Sequence, residues 1–177
     1  MSRLFAALAL PNTARTHLSL MRGEIDAARW ISADNMHLTL RFFGDITSSQ
    51  EHDIIEALDG IDEQSLTLNI KGAAAFGGNS PTTIYAVVEP TLELLALQRA
   101  IERAVRPIGL PPEPRPFVPH VTLARLRHGR PRQIAHFLED AGHMQLDPIH
   151  IEEFALMSAR PGTGGGPYGI EATFPLR

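Results

Sequence analysis

The sequence predicts an α+β fold of two lobes related by approximate two-fold symmetry and facing each other across a cleft. Three observations lead there. The pattern His-apolar-Thr-apolar occurs twice, as His37-Leu38-Thr39-Leu40 and as His120-Val121-Thr122-Leu123. The second copy follows the first at an offset of 83 residues (37 to 120), and the segments around each copy repeat in the same order at nearly that offset. Finally, 177 residues with 44% apolar content and a mean hydropathy of -0.06 are enough to bury a substantial core. The expectation is one domain, 1–177, duplicated internally as roughly 1–80 and 83–177.

The elements follow from local pattern. Residues 3–10 form an apolar strand, and a helix runs from 12 to about 22 with Asn12 as its N-cap after Pro11. The counterpart of that pair is a β-branched and aromatic strand at 83–88 followed by a helix at 92–106. Thr91 caps this helix, and Leu94, Gln98, Ile101 and Val105 recur at helical spacing. Past the first motif, Ser48 or Ser49 opens a helix with Ile54, Ile55, Leu58 and Ile61 as apolar positions. Past the second, Pro131 sits where a first-turn proline is tolerated, and Ile134, Phe137 and Leu138 form the stripe before Gly142. Alternating strands come next, with Leu66, Leu68 and Ile70 in the first half and Ile149 and Ile151 in the second. Two further strands lie around Leu156 and at 170–176. The glycine-rich stretch 162–166 precedes no Lys-Ser/Thr and opens no helix, so it reads as a loop rather than a phosphate cradle.

Each motif reads as a strand, and residues two apart on a strand share a face. His37 therefore stands beside Thr39, and His120 beside Thr122. One such pair is usually a half-exposed surface feature. Two converging on one cleft supply an acid, a base and two hydroxyl donors, a set suited to phosphoryl transfer without a metal. Arg41 has the parity to join His37 and Thr39. Phe43 shares that face and could stack a base, as could Trp30, although core packing is the commoner fate of both. Strict alternation puts Arg125 on the face opposite His120 and Thr122, so it reaches their side only if the strand bulges or ends near Ala124.

Charge and composition exclude several classes. The chain carries a net charge of -4, too acidic for a protein that coats nucleic acid. Residues 115–132 are the exception: Arg115, Arg125, Arg127, Arg130 and Arg132 with no acidic residue, leaving 11 basic against 20 acidic, or -9, elsewhere. Such a cluster beside a cleft focuses anionic substrates. Of the 16 cations 15 are arginine, so the preference for Arg is global and says nothing about phosphate. There is no cysteine, hence no disulfide or thiolate site. His17, His52, His136, His128, His143 and His150 read as surface or structural residues. Neither motif has a carboxylate cluster near it, which disfavours a metal, and no Gly-x-Ser-x-Gly elbow marks a serine hydrolase. Residues 1–10 hold an apolar run at the lower limit for a signal sequence, with Pro11 directly after, so a first strand is the better reading. No segment is long enough to span a membrane.

With both motifs in place, the chain resembles the two-histidine (2H) phosphoesterases, and within them the bacterial and archaeal RNA 2′,3′-cyclic phosphodiesterases, also called 2′–5′ RNA ligases. The likeness rests on the paired HxTx motifs and their settings. These are RLFAALALP at the start, ARWISADNMHLTLRFFGDI around the first motif, KGAAAFGGNSPTTIYAVV between, FVPHVTLARL around the second, and Ser158, Gly166, Pro167, Tyr168, Phe174 and Leu176 in the tail. It covers nearly the whole chain. The resemblance implies a bilobal α+β protein in which each lobe has an antiparallel sheet with outer helices. It implies metal-independent hydrolysis of RNA 2′,3′-cyclic phosphate ends to 2′-phosphomonoesters, with His37 as proton donor and His120 as proton acceptor. Thr39, Thr122 and Arg125, an arginine three residues after the second Thr, would bind substrate. The expectations are a cytoplasmic monomer acting on RNA ends or small cyclic nucleotides, without cofactor, metal or membrane. Two alternatives stay open: a phosphodiesterase or reversible ligase for 2′–5′ or other cyclic phosphodiesters, and a non-catalytic RNA-end binder.

Overall fold

The computed structural model describes residues 1–128, 130–159 and 167–177. Its elements are β1 (Ser2–Ala9), α1 (Asn12–Ser19), β2 (Ala28–Trp30), β3 (His37–Ile46), α2 (Ser48–Asp59), β4 (Leu66–Leu68), β5 (Ile70–Phe76) and β6 (Thr83–Val88). They continue with α3 (Leu92–Val105), β7 (His120–Leu126), α4 (Pro131–Ala141), β8 (Ile149–Ile151), β9 (Glu153–Ala159) and β10 (Tyr168–Pro175). The expected order is present. The starts of β3 and β7, α2 and α4, β4 and β8, and β5 and β9 all keep the 83-residue offset. The glycine-rich stretch 162–166 lies outside the described residues.

Local chemistry sets the helix ends. Thr47, not Ser48 or Ser49, caps α2 in a capping box with Gln50. Thr91 caps α3 by accepting from the Leu94 N–H, and Pro131 opens α4. At α1 the expectation needs correcting. Pro11 holds the cap position and Asn12 is already helical, its side chain accepting from the Arg15 guanidinium instead of closing the helix end. The helix stops at Ser19, short of 22, with Leu20 at its C-cap.

All strand pairs are antiparallel, and the main sheet runs β10-β9-β1-β3-β7-β6-β5, with β2 also on β7; β4 and β8 form a separate ribbon. The two halves of the chain exchange the equivalent strands β5 and β9. Strand β5 pairs with β6 of the second half, and β9 pairs with β1 of the first. Motif strands β3 and β7 lie at the centre and pair only at Leu38 and Val121. Past that point Ala28–Trp30 takes up the edge of β7 at Ala124–Leu126. The sheets of the two halves are thus continuous, joined where the motifs begin.

One face of this sheet and all four helices share the main core, where Leu4, Leu8, Leu38 and Val121 meet Leu18, Ile54, Leu94 and Ile134. The opposite face is open apart from a small cluster of Phe5, Ala7, Ala155 and Met157. Among the described residues no helix is long and apolar enough to cross a membrane.

Gly44 of β3 has φ +87, where a Cβ would meet only the edge of the Phe42 ring at 3.9 Å. Space is available, so the cost of a side chain there is backbone strain. Gly44→Ala is expected to lower stability by about 1–2 kcal/mol in urea unfolding. An unchanged unfolding midpoint would contradict the strain argument.

Candidate active site

The open face of the sheet carries a cleft of about 850 Å³, lined by His37, Thr39, His120, Thr122 and Arg125 together with Phe42. Both copies of the motif therefore meet in one cavity. The pairing of Leu38 with Val121 places them side by side: these neighbours point into the core and leave the imidazoles and hydroxyls on the other face.

Each imidazole is held the same way. His37 Nδ1 is 2.9 Å from the carbonyl oxygen of Asn35, and His120 Nδ1 is 2.7 Å from that of Val118. A carbonyl can only accept, so Nδ1 carries the hydrogen in both rings and Nε2 is the exchangeable nitrogen. His37 Nε2 lies 3.0 Å from Thr39 Oγ1. Asn35 and Val118 are themselves 83 residues apart, a signal that the offset could have supplied. Aromatic rings complete the support. Phe5 and Tyr168 each lie 4.9 Å from His37, while Phe76 at 5.0 Å and Tyr85 at 5.3 Å stand edge-on to His120.

Both motif strands then bulge at equivalent positions. Across β1, Ala7 pairs with Thr39 but Ala6 pairs with Arg41, leaving Leu40 as an extra residue. Across β6, Tyr85 pairs with Thr122 but Ile84 pairs with Ala124, leaving Leu123 extra. A bulge of one residue inverts the facing of everything after it. Arg125 consequently turns into the cleft with His120 and Thr122, satisfying the condition set by its parity.

The same inversion corrects two expectations in the first motif. Arg41 turns from the face of His37 and Thr39 toward the core side, as its partner Ala6 does, while still lining the cleft. It is the only buried charged residue among the described residues, 5% exposed and ion-paired with Glu102. Phe43 is the extra residue of a second irregularity and packs against the main core. Phe42 is the residue brought into the cleft, 39% exposed, with the Arg3 guanidinium 5.3 Å over its ring. Trp30 packs on Phe137 at the core.

The arginine-rich stretch divides. Arg115 and Arg125 line the cleft, whereas Arg130 pairs with Asp26. The other six histidines are exposed; His136 and His150 lie within 3.5 Å of Asp140 and Glu152 respectively. The described residues include no group of three or more His, Asp and Glu that could hold a metal ion.

Electrostatics favour neutral rings before substrate arrives. Burial is the main cause that lowers both imidazoles below the ordinary 6.5. The carbonyl bonds oppose it, and the positive charge of Arg125 adds to the lowering of both. His120 acts in the same direction on His37, and Arg115 on His120. The cleft thus gathers positive charge around two bases and suits a compact anion.

Known proteins resemble this chain in sequence and in fold. The family model described as LigT like Phosphoesterase matches residues 8–85 and 87–168. The RNA 2′,3′-cyclic phosphodiesterase of Methanothermobacter thermautotrophicus is 26% identical to this chain, with 98% of each covered. That of Aquifex aeolicus is 27% identical, over 88% of this chain and 87% of the relative. In fold, a Thermus thermophilus protein superimposes with a TM-score of 0.81 at 23% identity, covering 99% of this chain and 98% of that one. Escherichia coli LigT complexed with 3′-AMP gives 0.76 at 24% identity over the same shares. With the family model matched along most of its length, this chain belongs to the LigT-like phosphoesterases of the two-histidine superfamily.

Proposed function

We propose that this protein hydrolyses 2′,3′-cyclic phosphate ends of RNA to 2′-phosphomonoesters, with His37 and His120 as its acid and base and no metal. The observation that carries this reading is the pair of imidazoles fixed through Nδ1 on one cleft, with Arg125 turned in beside them. The names of the relatives support the substrate.

The chemistry follows from the donors present. A 2′,3′-cyclic phosphate is a strained diester with one negative charge. Neutral His120 takes a proton from water as the water oxygen bonds to phosphorus. The P–O3′ bond breaks on the opposite side, and protonated His37 gives its proton to O3′. Thr39, Thr122 and Arg125 bind the non-bridging oxygens, where negative charge grows in the transition state. Metal-free action is supported by the donor set: imidazoles, hydroxyls and guanidinium groups gather here, and the one carboxylate in the lining, Glu113, is paired with Arg41 and Arg115. Phe42, with Arg3 above it, offers a ring on which a nucleobase can stack for roughly 1–3 kcal/mol.

Incubation of the protein and EDTA with a short RNA ending in a 2′,3′-cyclic phosphate should yield a 2′-phosphate. Abolition by EDTA with recovery on adding a divalent ion would overturn metal independence, and a 3′-phosphate would overturn the direction of opening.

His37→Ala and His120→Ala should each lower turnover by about 10²–10⁴. The double variant should be little worse than either alone, because the two act as one unit. Full activity in a folded single variant would remove that residue from the mechanism.

The pH dependence has a defined sign. Lowered imidazole values mean that the free enzyme keeps its acid protonated only at pH values under 6.5. The bell in kcat/KM should therefore lie below 6.5, with activity falling as pH rises through the neutral range. A bound phosphodiester anion raises both imidazoles, so the kcat profile should sit at higher pH. Coincident kcat and kcat/KM profiles, both centred above 6.5, would contradict this assignment.

A further inference from the structure

Arg41 carries the one buried charge among the described residues, and although it lines the cleft the proposed reaction gives it no part. Its guanidinium joins three elements. Nε is 3.1 Å from Glu102 on α3, an ion pair without hydrogen-bond geometry. Nη1 is 3.9 Å from Glu113, and Nη2 donates to the carbonyl of Pro111. Two of these three partners lie in residues 110–119, the segment that leads into His120.

That segment is short of other ties. Half of its ten residues are proline, which have no N–H to give. No backbone hydrogen bond joins it to the rest of the described protein. Leu110 and Phe117 pack partly buried against the core, but apolar contact does not set the direction of a carbonyl. The Val118 carbonyl is the group that holds His120 Nδ1 at 2.7 Å.

We propose that Arg41 is a positioning residue for His120: by holding 110–119 it aims the Val118 carbonyl that keeps the His120 hydrogen on Nδ1 and Nε2 toward the cleft. An arginine from the first motif strand thereby sets the second motif's histidine. The inference concerns the same His120 as the proposed reaction, but its primary test needs no substrate.

The test is ¹⁵N NMR of the imidazoles at about pH 8, where both rings are neutral, in Arg41→Met and Glu113→Ala. His37 serves as internal reference. In both variants His120 should lose its single Nδ1–H tautomer and show a mixture while His37 keeps its own. Arg115→Ala, which removes only the outer partner of Glu113, should retain the wild-type tautomer. With cyclic phosphate RNA, kcat should fall by about ten- to a hundredfold in the first two variants, as expected for a misaimed base, with KM within about twofold. Arg41→Lys should recover part of kcat.

A folded Glu113→Ala protein with wild-type His120 tautomer and kcat would overturn the proposal, and it decides the matter even if Arg41→Met unfolds. A tautomer mixture in a protein whose wild type lacks cyclic phosphodiesterase activity would support the positioning role and refute the proposed function instead.

Discussion

An extra residue in each motif strand, Leu40 in β3 and Leu123 in β7, interrupts the two-residue alternation just past the His-x-Thr unit. The rest of the cleft depends on that interruption. Before it, His and Thr face the cavity while Leu38 and Val121 enter the core. After it, two consecutive residues are buried, Leu40 with Arg41 and Leu123 with Ala124. The next position, Phe42 or Arg125, swings outward. In regular strands Arg125 would point to the helix side, and the cleft would lose the guanidinium that acts on both imidazoles.

The two bulges make the duplicated halves chemically unequal. Equivalent positions past the bulge carry Phe42 in one copy and Arg125 in the other, and equivalent buried positions carry Arg41 and Ala124. A symmetric frame thus presents an aromatic surface on one side and a guanidinium on the other. A nucleotide end, with an apolar base at some distance from an anionic phosphate, has the same polarity. The buried charge of Arg41 is tolerable because carboxylates from α3 and from 110–119 converge on it. Removing one partner of such a set leaves an uncompensated ion, which costs more than the pair itself contributes.

The strand exchange ties the halves together further. Because β5 sits beside β6 and β9 beside β1, neither half of the chain completes its own side of the sheet. The histidines stand side by side in a frame whose strands alternate in origin, which limits relative movement of the two motifs. Aromatic rings from β1, β5, β6 and β10 then close on the imidazoles, so both histidines are held by elements far apart in sequence.

The sequence by itself determined the element order, the duplication, both His-Thr pairs and the apolar residues of the core. These follow from local periodicity, and a repeat with a constant offset makes that periodicity visible twice. Thr91 as a cap and Pro131 at a first helical turn were legible because their chemistry is local as well. Tertiary structure decided the facing of Arg41, Phe42, Phe43 and Arg125, since a bulge is a property of two paired strands and leaves no mark in the alternation of one. It also decided the roles of Arg3, Tyr168, Asn35 and Val118. Each acts on the site from a distant segment or through its backbone carbonyl, and a carbonyl is the same in every residue. The pattern of side chains therefore named the paired histidines and threonines, while the pairing of strands determined which neighbours reach them.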